Sequence, residues 1–458
     1  MKAPSAMNRD DRMISRAGLS RLLLDYGMLA ILALLCILFS ILTLRDQHPA
    51  GEKAADAIAD ELKEAALPTI NVVIVCQGGK DDDLFADALV QRFRERNAAS
   101  VETVSGDPAV VRSRLAAIAE SGRKIGLIAM TQSFAPVVQT IKSQFPQLQA
   151  ARMMTPPSYR WPTFLLPDNL RNVANQITVI AIIAIGMTMV IITAGIDLSV
   201  GSLVALSAVM TAWMIEAAGG EGASTAVMFL AGIAAMILCG ATGAFSGLMI
   251  TRFRIPPFIA TLAMMQVAAG IAYIISQGMP IYHIPDSFIL LGRGAEPFLK
   301  IPYAVILMIF LYLAAHVLMT RTTLGRYIYA VGGNMEAARL AGIRVRLILF
   351  FVYSLCGILA GLGGVIMASQ LKSGAPTYGV TYELYVIAAV VVGGTSLMGG
   401  EGHIFGTLIG AFIIAVIQNG MNLTNVESYT QKVVLGLVIL GAVLLDRLKQ
   451  QGFRLGNT

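Results

Sequence analysis

The polar segment Thr323–Arg346 stands between two apolar stretches and is rich in arginine. From Arg321 to Arg346 the chain has five arginines and a single acid, Glu336. A polar segment this basic could be a solvated loop. It could also be a docking element through which another protein drives motion of the neighbouring apolar segments. We favour the docking element.

A second polar stretch, Thr193–Ser202, places Asp197 between two apolar segments with glycines on both sides. An acid beside a hydrophobic span is costly and is usually functional or paired. Asp197 could cap the helix that follows, with Ser199 and Ser202 in its first turn, or Asp197 and Ser199 could contact a solute or a gate. Both roles stay open at this point.

The glycine-rich stretch Val392–His403 lacks the Lys-Ser/Thr pair that a phosphate-binding loop requires. Glu401 and His403 are too few to hold a metal ion. A tight turn that breaks a helix fits better. Amides within apolar stretches, Gln266, Gln418 and Asn419, could hydrogen-bond a hydroxyl-rich solute along a translocation path or join helices to each other. Two further amides, Asn175 and Gln176, are predicted to lie near one face of the membrane.

The sequence shows no arrangement of residues that is typical of a catalytic site. The histidines are scattered, and no serine has a Gly-x-Ser-x-Gly context. The spacing of the cysteines Cys36, Cys76, Cys239 and Cys356 suggests neither a metal site nor a disulfide framework. We therefore expect a protein that is not an enzyme and that has no cofactor and no metal.

The composition is that of a membrane protein. The chain is 56% hydrophobic and 14% charged, against roughly 25% charged residues in soluble domains. Mean hydropathy is +0.70. The net charge of +6 fits basic residues held on the cytoplasmic side better than nucleic-acid binding. Glycine pairs spaced by four favour close helix packing: Gly243/Gly247, Gly357/Gly361 and Gly406/Gly410.

The N-terminal region predicts an uncleaved signal anchor. Residues 1–21 carry five basic side chains and form a cytoplasmic tail, and the apolar run 22–44 is too long for a cleaved signal peptide. Nine further spans are predicted at about 173–194, 199–217, 225–249, 257–276, 302–319, 347–369, 384–398, 404–421 and 431–446.

With an inside N-terminus, these ten spans place Arg252, Arg254, the Arg321–Arg346 segment and the tail 447–458 in the cytoplasm. The loops at Glu216–Glu221 and Asn422–Gln431 fall outside and carry no lysine or arginine. The predicted fold class is an all-α polytopic membrane protein of about ten transmembrane helices with a small α/β extracytoplasmic insertion. The spans after the insertion form a transmembrane core, 161–446.

Residues 45–160 form the predicted insertion in the first external loop, with 14 of the 28 acidic residues. A polar helix is expected around Glu52–Ala66. Strand patterns at Ile70–Cys76, Val101–Val104 and Ile125–Met130 then alternate with helix patterns, and Asp107 with Pro108 opens one of those helices. This order predicts a small parallel sheet.

Several motifs in order resemble the permease subunit of ribose-type ATP-binding-cassette (ABC) sugar importers. They are Gly195–Gly201, the Arg326–Gly342 loop, Val391–Ser396 and Gly406–Gly410. The resemblance covers residues 163–447 almost without gaps.

The resemblance implies a non-catalytic subunit of the bacterial inner membrane, with both termini in the cytoplasm. Its implied partners are a second permease copy, two ABC ATPase subunits, an extracytoplasmic sugar-binding protein, the sugar and membrane lipid, with no nucleic acid. It also assigns ATPase coupling to a Glu-Ala-Ala-x-x-x-Gly core, Glu336–Gly342, in a short helix ended at Gly342. The Leu-Pro that follows this core in the longer form of the motif is absent, so the match is partial. The coupling residues are Gly332, Gly333, Asn334, Glu336, Ala337, Ala338, Arg339 and Gly342.

The insertion departs from that family. Its strand and helix order resembles part of one lobe of a sugar-binding protein, with Asp81–Asp83 after the first strand where such proteins contact ligand. Since two lobes close around a sugar, one partial lobe favours a docking or regulatory module over a complete receptor.

Other functions stay open. The same architecture could import a signal furanone, a nucleoside or a branched-chain amino acid. A membrane-anchored sensor would need a cytoplasmic output domain, and only about a dozen residues follow Asp446. An ion-coupled carrier would need a charged relay in the spans, where Asp197 stands nearly alone.

Overall fold

The computed structural model describes residues 27–62 and 70–455, and side-chain surroundings as far as residue 444. The described chain divides into two compact units, Leu44–Thr163 and the remainder. The predicted tail 1–21 lies outside the described residues, as do the start of the first span, the end of the Glu52–Ala66 helix and the last three residues.

The larger unit is helical. In chain order its helices are α1 (Gly27–Leu42), α6 (Pro167–Ile192), α7 (Val200–Ala217), α8 (Thr225–Phe253), α9 (Pro257–Ser276), α10 (Leu290–Arg293), α11 (Tyr303–Arg321), α12 (Thr323–Gly333), α13 (Met335–Leu340), α14 (Val345–Leu371), α15 (Tyr382–Val392), α16 (Ile404–Leu423) and α17 (Ser428–Leu455). Helix α6 is the most deeply buried of the long helices: 89% of the residues in its most apolar 18-residue stretch are buried.

Among the described residues, seven helices are long and apolar enough to cross a membrane: α6, α7, α8, α9, α11, α14 and α16. Three shorter apolar helices, α1, α15 and the part of α17 up to Leu444, lie at the first, eighth and tenth predicted spans. The larger unit is therefore that of a polytopic membrane protein.

The eighth predicted span, 384–398, is shorter in the structure. Helix α15 has 11 residues, about 16 Å at 1.5 Å per residue, against a hydrocarbon core of roughly 30 Å. It ends at Val392 because Gly394 adopts a φ of +89°, and the chain then turns through Gly399 and Gly400, whose φ values are also positive. The glycine-rich stretch is thus the helix-breaking turn that the sequence predicted.

Glycines bring α8 and α14 into backbone contact. A Cβ on Gly243 would overlap the carbonyl oxygen of Tyr353, and one on Gly357 would overlap that of Cys239. The pair Gly406/Gly410 serves the contact of α16 with α15 in the same way. The predicted glycine pairs therefore lie at the closest helix contacts, where only a missing side chain allows the approach.

The smaller unit is a parallel sheet covered on both faces. Its strands are β1 (Leu44–Gln47), β2 (Asn71–Cys76), β3 (Ser100–Ser105), β4 (Ile125–Met130), β5 (Arg152–Met154) and β6 (Tyr159–Pro162). Its helices are α2 (Gly51–Glu61), α3 (Lys80–Glu95), α4 (Pro108–Glu120) and α5 (Ala135–Gln144). The sheet order is β3-β2-β4-β5, all parallel.

Two separate hydrophobic clusters lie on the faces of this sheet. One joins α2 and α3 to it through residues such as Phe85 and Leu89, and the other joins α4 and α5 through residues such as Leu115 and Ile141. Asp107 Oδ1 accepts a hydrogen bond from Val110 N (3.1 Å) and caps α4, as predicted. The sequence missed β5, which has only three residues and too little pattern to detect.

A second, antiparallel pair connects the two ends of the smaller unit. Strand β1 pairs with β6, so that Leu44 lies opposite Pro162 and Gln47 opposite Tyr159. The first and last residues of the unit are therefore neighbours, as in many domains that are inserted into another fold.

Candidate functional site

The polar segment between α11 and α14 is folded into two capped helices. Thr322 Oγ1 accepts a hydrogen bond from Gly325 N (3.2 Å) at the start of α12, and Asn334 Oδ1 accepts one from Ala337 N (2.9 Å) at the start of α13. Each cap satisfies an amide that the first turn of a helix leaves unpaired. The arginine-rich break is thus an ordered element.

Helix α13 ends in a Schellman motif. Gly342 N donates to Arg339 O and Ile343 N donates to Ala338 O, both at 3.0 Å. Gly342 has a φ of +84°, which glycine adopts without a steric penalty. This agrees with the sequence prediction of a short helix ended at Gly342.

The exposed face of α13 carries both charged and apolar side chains. Glu336, Ala337 and Arg339 are exposed, whereas Ala338 is buried. Glu336 Oε2 lies 3.4 Å from Arg339 Nε, and an exposed pair of this kind contributes at most about 1 kcal/mol. Leu340, at the end of the helix, is 85% exposed. The face therefore offers charged and apolar groups together, which suits contact with another protein.

Gly332 lies where α12 packs against the rest of the bundle and leaves no room for a side chain, whereas its neighbour Gly333 has room for one. A Cβ on Gly332 would overlap the carbonyl oxygen of Ile192, the last residue of α6, and would lie 2.7 Å from Gly400 N. A Cβ on Gly333 would meet nothing within 4 Å. In addition, Gly400 N donates to Ile192 O (2.8 Å). Three segments, α12, the end of α6 and the glycine-rich turn, thus meet at Gly332.

Tyr329 strengthens the same junction from the middle of α12. Its hydroxyl donates a hydrogen bond to the carbonyl oxygen of Gly402 (2.6 Å). Partial burial raises the pKa of the Tyr329 phenol above its usual value, so the group remains a donor at neutral pH. The glycine-rich turn is therefore hydrogen-bonded to α12 at Gly402 and to the end of α6 at Gly400.

Asp197 supports the turn between α6 and α7. Its Oδ1 accepts hydrogen bonds from the backbone N (2.9 Å) and the hydroxyl (2.6 Å) of Ser199, and both residues are fully buried. Ser199 is the N-cap residue of α7. Gly195 lies against the hydroxyl of Tyr353, where any Cβ would overlap it. In this conformation the Asp197–Ser199 pair is internal to the fold.

A cavity of about 510 Å³ lies between α13, the α6–α7 turn, the α8–α9 turn and the start of α14. Arg254, Arg339 and Arg346 line it together with Glu336, and Tyr353 lies in its wall. The residues brought together here come from four separate parts of the sequence. Helix α13 and the α6–α7 turn thus face the same cavity.

The three amides predicted inside the spans are not brought together. Gln266 is exposed on α9. Asn419 exchanges hydrogen bonds with Asn169, with distances of 3.0 Å and 2.9 Å between their amide atoms, and joins α16 to α6. Gln418 lines a cavity of about 240 Å³ at the opposite end of the bundle from α13.

That second cavity contains polar residues that the sequence analysis did not connect. Besides Gln418 and Gln176 it has Tyr382, Tyr385, Asn422 and Gln431. The spacing of Gln418 and Asn422 by four residues was a usable signal, since it places both amides on one helix face. The tyrosines gave no signal, because they belong to α15 and meet the amides only through the tertiary fold.

Positive charge is not confined to the α13 end. Arg293, Lys300 and Lys372 lie in the connections between α9 and α11 and between α14 and α15, at the opposite end. Lys372 Nζ lies 2.5 Å from Asp286 Oδ1, and the Lys372 ammonium holds the pKa of that carboxyl below its usual value. Among the described connections between helices of the larger unit from α6 onward, the arginine-rich segment still carries the most basic residues.

Comparison with known proteins places the larger unit among permeases. The family described as "Branched-chain amino acid transport system / permease component" matches residues 169–443. The ribose import permease protein of Escherichia coli strain K12 is 46% identical over 294 residues, which is 63% of this chain and 88% of that protein.

Two further relatives match this chain over a similar length. The ribose import permease protein of Bacillus subtilis strain 168 is 46% identical over 290 residues, 63% of this chain and 87% of that protein. The D-allose transport system permease protein of Escherichia coli is 38% identical over 285 residues, 62% and 85% respectively. No solved structure matches. The smaller unit, Leu44–Thr163, lies outside the residues that the family matches.

Proposed function

Because the chain belongs to the permease family described as the branched-chain amino acid transport system / permease component, we propose that it moves a ribose-like monosaccharide across a bacterial inner membrane. It is a multi-pass membrane protein and the permease subunit of an ABC sugar importer, like the ribose and allose permeases to which it is similar. The single observation that carries the choice of a sugar is the 46% identity to ribose import permeases over most of their length.

ATP hydrolysis belongs to separate ATPase subunits, and the sugar arrives on an extracytoplasmic binding protein. A second permease copy completes the translocation path, and lipid surrounds both copies. Both termini are cytoplasmic, which places α12 and α13 inside the cell. The smaller unit is then extracytoplasmic and serves as a docking module for the binding protein.

Helix α13 receives the motion of the ATPase. Three observations support this proposal: the caps at Asn334 and Gly342 make α13 a defined helix, its face is exposed, and Gly332 connects the preceding helix to α6. A helix fixed at both ends can transmit a rigid-body movement to the α6–α7 turn, where Asp197 and Ser199 lie.

Reconstitution with candidate ATPases and binding proteins tests the function. We expect uptake of D-ribose into proteoliposomes that requires ATP and the binding protein. Competition by D-allose, L-arabinose, a nucleoside and leucine separates sugars from the alternative solutes, including the branched-chain amino acid that the family description suggests. Uptake without ATP, or competition by leucine alone, contradicts a sugar importer.

The docking role of α13 is tested by co-purification with the ATPase. Leu340→Asp and Glu336→Lys should each weaken the association, because both change the exposed face of α13. Leu299→Asp is the matched control, since Leu299 is also an exposed leucine (66%) but lies in the α10–α11 connection at the opposite end. Equal losses for Leu340→Asp and Leu299→Asp would exclude a specific contact at α13.

A further inference from the structure

The cavity at the opposite end of the bundle from α13 is lined by amides and tyrosines from four helices. Gln176 comes from α6, Tyr382 and Tyr385 from α15, Gln418 and Asn422 from α16, and Gln431 from α17. Sixteen residues separate Gln176 from Ile192 on α6, which corresponds to about 24 Å along the helix. The cavity is thus far from the contacts of α12 and α13.

Several hydrogen-bonding groups in this cavity have no protein partner among the described residues. Gln431 Nε2 donates to Asn422 Oδ1 and Val426 O, both at 2.8 Å. In the part of the chain that the structure describes, no hydrogen-bond partner contacts the Gln431 side-chain carbonyl oxygen or the Asn422 amide hydrogens. Within the described residues, no side-chain hydrogen bond involves Gln176 or Gln418. Each amide offers two donors and an acceptor oxygen, so these groups suit a ligand with many hydroxyl groups.

The tyrosines add an aromatic wall. The ring centroids of Tyr382 and Tyr385 are 6.2 Å apart with their planes at 58°, and both side chains are half-buried. Aromatic rings supply large contact area with a polar hydroxyl at the edge. A sugar has the matching character, since its ring carries an apolar C–H face and hydroxyl groups at its edge.

Charge and size narrow the ligand class. None of the cavity-lining residues is charged, and a zwitterionic amino acid or a phosphate would need partners for its charges. The volume of about 240 Å³ is below the roughly 300–1,000 Å³ of pockets for drug-sized ligands. A neutral molecule of monosaccharide size fits both limits.

We propose that this cavity is a monosaccharide-binding subsite within one permease copy, with Gln176 and Gln418 as hydrogen-bonding residues and Tyr382 and Tyr385 as the stacking surface. The assignment rests on the proposed sugar-import function and adds a specific contact site to it. It places the first contact with the sugar at the mouth of the bundle opposite to α13.

Equilibrium binding of radiolabelled D-ribose to the permease–ATPase complex in nanodiscs, without the binding protein, tests the subsite. Gln176→Met and Gln418→Met replace each amide by an apolar side chain of similar length. We expect each to weaken binding roughly threefold to tenfold, the effect of losing one neutral hydrogen bond. Asn172→Leu is the control, because Asn172 is an exposed amide one turn earlier on α6 that does not line the cavity.

The outcomes separate the subsite from the importer function. If the intact system imports D-ribose but the permease complex binds none, or if both variants bind it like Asn172→Leu, the subsite is excluded and the importer stands. If the system imports no sugar, the importer function itself fails. Displacement of bound ribose by leucine would also overturn the assignment, because the cavity has no partners for a zwitterion. Normal co-purification with the ATPase confirms that each variant is folded.

Discussion

At the scale of single residues, neighbouring positions with the same side chain have different roles. The sequence assigned Gly332 and Gly333 to the coupling element without distinguishing them. In the structure a Cβ on Gly332 would overlap backbone atoms of Ile192 and Gly400, whereas a Cβ on Gly333 would meet nothing within 4 Å. Backbone atoms cannot move aside as the end of a flexible side chain can, so the two glycines differ sharply in tolerance.

Gly332→Ala is therefore expected to destabilise the protein by about 1–3 kcal/mol, the usual cost of overpacking, and to reduce ATP-dependent transport. Gly333→Ala should be neutral or slightly stabilising, because alanine is a better helix former. Thermal unfolding in detergent and uptake in proteoliposomes measure both effects. Equal behaviour of the two variants would show that the contact at Gly332 does not hold α12 in place.

Asp197 gives a second test at this scale. Asp197→Ala removes the acceptor of both Ser199 hydrogen bonds and leaves a buried hydroxyl and amide unpaired, which costs roughly 1–3 kcal/mol per group. Asp197→Asn keeps an acceptor oxygen in place and should lose much less stability. Thermal unfolding distinguishes the two substitutions. If Asp197→Asn keeps stability but abolishes transport, Asp197 acts on the solute or gate and not only on the turn.

At the scale of elements, the stability of α13 depends more on the hydrogen bonds at its two ends than on those within its six residues. A helix this short has almost no intrinsic stability. Its Asn334 cap and the Schellman bonds at Gly342 replace the hydrogen bonds that a longer helix would make internally. The ion pair between Glu336 and Arg339 adds little, since both side chains are exposed.

Gly342→Ala should unravel the end of α13, because a left-handed conformation costs a residue with a Cβ about 1–2 kcal/mol. We expect ATPase activity and sugar uptake to become uncoupled, with little change in the overall unfolding temperature. Gly342→Asn is the matched control, since asparagine tolerates this conformation better. Coupling is read as sugar molecules imported per ATP hydrolysed. Identical coupling in both variants would mean that the Schellman motif is dispensable.

At the scale of the whole molecule, each unit has its own hydrophobic core. The clusters of the smaller unit contain only residues between Ala54 and Met154, and the main cluster of the larger unit contains only residues from Val173 onward. Strands β1 and β6 bring the two ends of the smaller unit together. This organisation is that of a removable insertion.

Replacing residues 49–157 by a short Gly/Ser linker should therefore leave the larger unit folded, because none of its core residues is lost. We expect a monodisperse protein that still co-purifies with the ATPase, and weaker association with the binding protein if the insertion is a docking module. Size-exclusion chromatography and a binding assay with the sugar-loaded binding protein measure this. Aggregation of the shortened chain would contradict two independent cores, and unchanged association would exclude docking.

The sequence by itself determined the elements whose signals are local. Apolar runs located the long helices of the membrane unit, alternating patterns located β2, β3 and β4, and Gly342 marked the end of α13. These features depend on neighbouring residues along one helix or strand, which a sequence displays directly. The short strand β5 was missed because three residues carry too little pattern. The glycine-rich turn was recognised, but the predicted span 384–398 continued past Val392, where α15 ends.

Only the tertiary structure decided which of these local features meet. It placed Gly332 against Ile192 and Gly400, paired Asn419 with Asn169, and left Gln266 on the surface of the described chain. It also gathered Gln176, Gln418 and two tyrosines around one cavity from helices far apart in sequence. Such contacts depend on how helices pack in three dimensions. The sequence of one helix does not show which face of another helix it will contact.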